Sequence, residues 1–197
     1  MIGFLAKRQS GKDTACDHLV VNYKYCKQGF ADPLKRGIQK WFGFSDSQMF
    51  TEKKEEVDVN WGISPRYACQ KIGTDVVRDL FPTILLPDIG DNFWIKRADI
   101  WYEQTKPEHN GLVVWNDVRY QNEVDYILSK GGIVIKLERP ELREKTSIDL
   151  HKSESGIEEI TNYSIKLTND GNLLDFYKKL DTLMSNDLYS IGGYFHT

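Results

Sequence analysis

The sequence predicts an α/β fold: a parallel sheet covered by helices on both faces. Three observations carry that prediction. Short apolar runs alternate with segments of helical periodicity along most of the 197 residues. The stretch Leu112–Trp115 is apolar at every position, as in a strand buried on both sides. The run AKRQSGKDT, Ala6–Thr14, lies directly between the first apolar run and the first helical one, where sheets of this kind carry their ligand loops.

The elements follow in order. Ile2–Leu5 is the first strand. A helix from Lys12 to about Tyr23 has Ala15, Cys16, Leu19, Val20 and Tyr23 on one face. Tyr25–Ala31 reads as the second strand. Asp32 caps the next helix with Pro33 at its first position, and Leu34, Ile38 and Trp41 line its buried side. The charged stretch Thr51–Asp58 reads as a solvated helix or loop. Pro65–Leu80 is one helix with Ala68, Ile72, Val76 and Leu80 as core stripe, and Asp91–Gln104 is another, rich in aromatics. After the strand Leu112–Trp115, Tyr120–Lys130 is amphipathic through Val124, Ile127 and Leu128, and Gly131-Gly132 ends it. Ile133–Leu137 is the fourth strand and Tyr163–Leu167 the fifth. Between them, Arg139–Ile160 is polar with no core pattern. Leu173–Met184 closes the series, with Leu173, Tyr177, Leu180 and Met184 buried, ahead of a loosely held tail, SIGGYFHT.

Composition narrows the function. At 40% hydrophobic and 28% charged residues the chain can bury a core and stay in solution. A formal net charge of −3 supplies no global field for holding a nucleic-acid polymer. Three cysteines without a CxxC pair read as reduced thiols, and the four histidines have no metal spacing. No run approaches membrane-spanning length and no leader is evident, so the expectation is a cytoplasmic protein with no membrane partner.

The AKRQSGKDT loop is a relaxed phosphate cradle. A strict P-loop has Gly at its first position and Ser or Thr after Gly-Lys; here Ala6 and Asp13 stand there. What a phosphate needs is still present: a glycine loop, a helix N-terminus facing the anion, and a lysine within reach. Ser10, Gly11, Lys12, Asp13 and Thr14 supply these, and Lys7 and Arg8 add positive charge at the mouth. Ala6 is tolerable if its backbone does not need a positive φ. In the strict loop the hydroxyl binds Mg²⁺ directly; a carboxylate at Asp13 would hold the ion through water, which makes Asp13 the metal candidate.

The other candidates follow the same rule. Asp117 lies at the end of the buried strand Leu112–Trp115, and Arg119 and Glu123, four apart, would project from one helical turn towards a shared cleft. Arg66, Gln70 and Gly73 share a face distinct from the core stripe, which suits a nucleoside monophosphate. Arg78, Trp94 and Arg97 are further candidates, although a Trp in an aromatic helix is more often core. Arg139 and Arg143 sit in a segment able to close as a lid over transferring phosphate, with His151, Ser153 and Glu154 nearby.

Seven segments occur in one order: AKRQSGKDT, FADPLK, SPRYACQKIGTD, FW, NDVRYQNE, HKSE and LTNDG. In that order the chain resembles the bacteriophage-type deoxynucleoside monophosphate kinases, with phosphomevalonate kinase a more distant relative. The resemblance implies a three-layer α/β/α P-loop kinase fold with a five-stranded parallel sheet and a mobile lid. It implies one domain over 1–197, with an acceptor-binding helical region at roughly 44–105 and a lid-like segment at 139–160. It implies transfer of the γ-phosphoryl group of ATP to a dNMP with Mg²⁺, in a host cytoplasm if the source is viral; a homodimer is compatible with it.

The catalytic set would be Lys12, Arg8, Arg119 and Asp117. ATP would meet Ser10, Gly11, Lys12, Asp13, Thr14 and Arg139, with Asn169 and Asp170 flanking its adenine. The acceptor would meet Lys7, Arg66, Gln70, Gly73, Thr74, Trp94, Asp117, Arg119 and Glu123. Two alternatives stay open at this point: a kinase of another small metabolite, and a non-catalytic nucleotide-binding regulator.

Overall fold

The computed structural model describes residues 1–140 and 156–191. Most of the expected lid lies outside these residues, with Arg143, His151, Ser153 and Glu154, as does the tail from 192 on. The chain divides into two compact units, Met1–Gln28 with Pro107–Thr197, and Gly29–Lys106.

The first unit is built on a five-stranded, all-parallel sheet in the order β2-β3-β1-β4-β5. The strands are β1 Ile2–Ala6, β2 Cys26–Gln28, β3 Val113–Val118, β4 Ile133–Glu138 and β5 Ile165–Thr168. β1 is central, and every one of its residues is buried. On one face Ile2, Phe4 and Ala6 pack with Ala15, Cys16 and Leu19 of α1 (Lys12–Tyr23) and with Phe176, Leu180 and Met184 of the C-terminal helix, Leu173–Ile191. On the other, Gly3 approaches the helix Gln121–Ser129 so closely that a Cβ would stand 2.4 Å from Ile127 Cδ1. Helices on both sides of the sheet make the three layers. That helix ends as its Gly131-Gly132 signal predicts: Gly131 takes φ 71°, and a Cβ on Gly132 would lie 2.8 Å from the Met1 carbonyl oxygen.

The second unit contains α2 Asp32–Phe42, α3 Asp46–Phe50, α4 Pro65–Gln70, a π-wound segment Lys71–Leu80, α5 Phe81–Ile84 and most of α6, Phe93–His109. The unit boundary falls in the last turn of α6, beside Pro107. Among the described residues two further α-helices follow in chain order, α7, Gln121–Ser129, and α8, Leu173–Ile191. The core of the second unit gathers Leu34, Ile38, Phe44, Met49, Ala68, Val77 and Trp94.

Several elements depart from the sequence reading. β2 spans only Cys26–Gln28, because Gly29–Ala31 turns into α2 instead of extending the strand. Asp32 is the first helical residue; Ala31 is the cap, and the Asp32 carboxylate accepts from the Gly29 N–H at 2.7 Å. Trp41 is 68% exposed, its ring lying along Gly37 one turn back. Pro65–Leu80 is not one regular helix. The i→i+5 winding after Gln70, visible in the Phe81 N–H to Val76 carbonyl bond, turns by less per residue than an α-helix. The buried face therefore slips to Gly73, Thr74, Val77 and Arg78, and Val76 and Leu80 come to the surface.

α6 runs past Gln104 to His109 and stops where Asn110 and Gly111 turn left-handed. β3 begins at Val113 and continues through Asn116 and Asp117. In the polar stretch before β5, Ile157 and Ile160 are buried, so that stretch is not without core residues. In α8 Phe176 takes the buried position and Leu173 is 56% exposed, since the first turn of the helix overhangs the core.

α1 and α8 are also tied by polar contacts. His18 Nε2 lies 2.6 Å from Asp181 Oδ1, the Tyr23 hydroxyl donates to the same oxygen at 2.8 Å, and Tyr177 stacks on the imidazole. The His18 contact, against a smaller effect of burial, holds the Asp181 carboxyl below its ordinary pKa. A depressed carboxyl stabilises the fold above the unfolded value of about 3.9 and loses that contribution as pH falls through the folded pKa. Asp181→Ala is therefore expected to be less stable than wild type at pH 7, with the two urea midpoints converging below about pH 4. A gap that held constant down to pH 2 would contradict this.

Candidate active site

The loop behind β1 is shaped by two left-handed residues, Gln9 at φ 62° and Gly11 at φ 100°. Ala6 needs no such conformation; it is the last residue of β1, which is why alanine serves there. Ser10 is 1% exposed, and its hydroxyl donates to the Lys7 carbonyl at 2.8 Å, closing the turn from inside. Gly11 brings no side chain to cap α1, so the N-terminal amides of that helix are left to an outside acceptor. Lys12 and Thr14 are partly buried and Asp13 is exposed.

Charge around the loop centres on Asp13. Its carboxylate meets Lys12 Nζ at 3.2 Å, Lys27 Nζ at 3.6 Å and the Asn116 amide at 3.2 Å. Burial by itself would raise the Asp13 pKa. The Lys12 ammonium, helped by Lys27 and Asn116, outweighs it and holds the carboxyl below its ordinary value. Lys27 also donates to Asp17 at 2.8 Å. Lys7 pairs with Glu158.

A bulge aims the end of β3. Between Gly3 and Leu5 the β3 partners jump from Trp115 to Val118, one residue more than the strand opposite. The extra residue sits at Asn116-Asp117, where it turns side chains out of the regular alternation. Asn116 Oδ1 is buried without a hydrogen-bond partner, the kind of group that a bound ion or water would satisfy. Asp117 and Arg119 are partly buried. Arg119 precedes α7 instead of standing on its first turn. Glu123 does not project outward beside it: the side chain is 3% exposed and accepts from the Arg119 N–H at 2.7 Å and the Tyr120 N–H at 3.2 Å.

At the end of β5, Asn169 is 9% exposed and donates to the Ser10 carbonyl at 3.0 Å. Asp170 is exposed and paired with Lys179. Arg139 is exposed one residue beyond β4.

The remaining candidates lie in the second unit. Arg66 donates through Nε to Glu55 at 2.6 Å. Burial raises the Cys69 pKa to about 11, against an opposing pull from Lys35 and Arg66, which places two cations near one thiol. Gly73 is a close-approach glycine, but what approaches is Leu34, whose Cδ2 would stand 2.5 Å from an added Cβ. Thr74 is 7% exposed, Gln70 is partly buried, and Trp94 is a core residue whose indole N–H donates to the Gly73 carbonyl at 3.0 Å. The sequence reading missed Lys27, Asn116 and Glu55. Lys27 and Asn116 each stand beside a β-strand carboxyl end, a signal that was available; Glu55 carried none, being one acid in a charged run.

A sheet in the order 2-3-1-4-5 with a glycine loop behind its central strand defines the class: an α/β protein of the P-loop kinase fold. The chain belongs to the deoxynucleotide monophosphate kinase family, whose model matches residues 39–180. It is 35% identical over 190 residues to a protein of Acanthamoeba polyphaga mimivirus provisionally named a deoxynucleotide monophosphate kinase, covering 94% of this chain and 96% of that one. It is 26% identical over 148 residues to the deoxynucleotide monophosphate kinase of Escherichia phage RB69, or 75% of this chain and 56% of the phage protein. This membership disfavours the two alternatives, a kinase of another metabolite and a non-catalytic regulator. Among the described residues no helix is long and apolar enough to cross a membrane.

Proposed function

We propose that this kinase holds the ATP triphosphate on Ser10–Thr14 and passes its γ-phosphoryl group to a dNMP, giving dNDP and ADP. The observation that carries the reading is the uncapped start of α1 behind left-handed Gln9 and Gly11, with Lys12 beside it. Helix-terminal amides and one ammonium together suit a polyphosphate.

Phosphoryl transfer asks for alignment and charge compensation more than for covalent chemistry. In this reading Lys12 and Arg8 offset charge on the transferring group, with Arg139 joining from the segment after β4. Lys7 and Thr14 contribute to phosphate binding. Arg119 and Asp117 orient the acceptor from the end of β3, and Arg66 and Gln70 bind the monophosphate, while Gly73, Thr74 and Trp94 are buried behind them in their own unit. Glu123 acts from behind, by fixing the Arg119 backbone. Asp170 is left as the candidate neighbour of adenine. No general base is required, because a phosphate monoester with a second pKa of about 6 is largely ionised at neutral pH.

Among the described residues no group of three His, Cys, Asp or Glu could hold a metal unaided. Mg²⁺ usually takes one or two carboxylates and leaves its other positions to phosphates and water. Asp13 and Asp117, with the unsatisfied Asn116 oxygen, fit that pattern. The ion would supply charge neutralisation on the β- and γ-phosphates. A net charge of −3 argues for free nucleotides, not a polymer, as partners.

The test is ADP release with ATP, Mg²⁺ and a panel of dNMPs, phosphorylated metabolites and no acceptor. Turnover only with dNMPs supports the reading; turnover with none sinks it. Arg66→Ala is expected to raise KM for the accepted dNMP by roughly tenfold or more, the worth of a charged hydrogen bond. KM for ATP should stay unchanged.

A further inference from the structure

We infer that Asn169 is a positioning residue for the phosphate loop and not a contact for the adenine of ATP. This rests on the reading of Ser10–Thr14 as the triphosphate site. Asn169 is 9% exposed, which leaves little of it to present to a base. Its Nδ2 donates to the Ser10 carbonyl at 3.0 Å, while its own N–H donates to the Glu138 carbonyl at 2.8 Å. One residue thus ties the loop to the carboxyl ends of β4 and β5.

The consequence for phosphate binding follows from peptide geometry. In a trans peptide the C=O and the next N–H point in opposite directions. Pinning the Ser10 carbonyl onto Asn169 turns the Gly11 N–H the other way, away from Asn169. Gly11 itself is fitted to this contact. A Cβ there would stand 2.6 Å from Asn169 Nδ2 and 3.5 Å from Phe176, on top of the strain of φ 100°. The turn below is anchored as well, by Lys179, which donates to the Thr168 carbonyl at 2.9 Å and pairs with Asp170.

A strut and a base contact differ in what they do to a ligand with no base. Binding of ATP and of inorganic tripolyphosphate to the full chain is measured by calorimetry for wild type and Asn169→Ala. The strut predicts that both ligands weaken by a similar factor, about tenfold for one buried hydrogen bond. It also predicts a raised KM for ATP with KM for the dNMP unchanged, and faster amide exchange over residues 7–12 in the nucleotide-free enzyme. Loss of ATP binding with tripolyphosphate unaffected would overturn it in favour of an adenine contact. No change in either ligand would overturn it too. If Asn169→Ala does not fold, Asn169→Ser, which keeps a shorter donor, carries the same comparison. A wild type that binds neither ligand would instead defeat the triphosphate reading itself, so the two failures are distinguishable.

Discussion

Replacing Lys12 by Ala is expected to lower kcat by about 10²- to 10³-fold, the usual cost of losing one group aimed at transition-state charge. The fold should persist. Lys12 is the first residue of α1, and its ammonium meets Asp13, an exposed carboxylate that Lys27 and Asn116 also hold. An ion pair of that kind contributes about 0–1 kcal/mol. Circular dichroism and the melting temperature should therefore match wild type while ADP release collapses. Lys12→Arg should not restore turnover, because a planar fork does not replace a compact ammonium inside a tight loop. Full turnover in Lys12→Ala would remove the phosphate loop from the mechanism.

The largest effect on stability is expected at Phe4. It is fully buried in central β1 and packs into the core that α1 and α8 share with the sheet. Phe→Ala at such a site costs about 3–5 kcal/mol, from lost transfer energy and the cavity left behind. Domains have only about 5–15 kcal/mol to lose. For a chain of this length that corresponds to a fall in Tm of roughly 6–20 °C. Because β1 leads straight into the loop, ATP affinity should fall as well, through the loop's footing. A shift under 2 °C would mean that the β1 core closes over the gap, contrary to the close packing described above.

Two kinds of residue separate what the chain discloses from what it conceals. All five strands, the parallel sheet and the loop position were legible because each rests on local pattern: apolar runs, helical spacing, and Gly-Lys between strand and helix. The winding after Gln70 was not, since an i+4 stripe through Ala68, Ile72, Val76 and Leu80 is what an α-helix would bury, whereas the observed winding buries Gly73, against Leu34, and Thr74. Trp41 and Leu173 were misread likewise: periodicity gives a face, but not where the neighbouring core ends.

By itself, the sequence determined the α/β class, the order of its elements, and the position of the Gly-Lys segment between the first strand and the first helix, all consequences of short-range spacing. Tertiary structure alone decided which side chains reach that segment. Lys27 and Asn116 come to Asp13, and Asn169 comes to Ser10 from 159 residues away. The physical reason is that a parallel sheet brings the carboxyl ends of distant strands side by side, and no local pattern records which strands become neighbours.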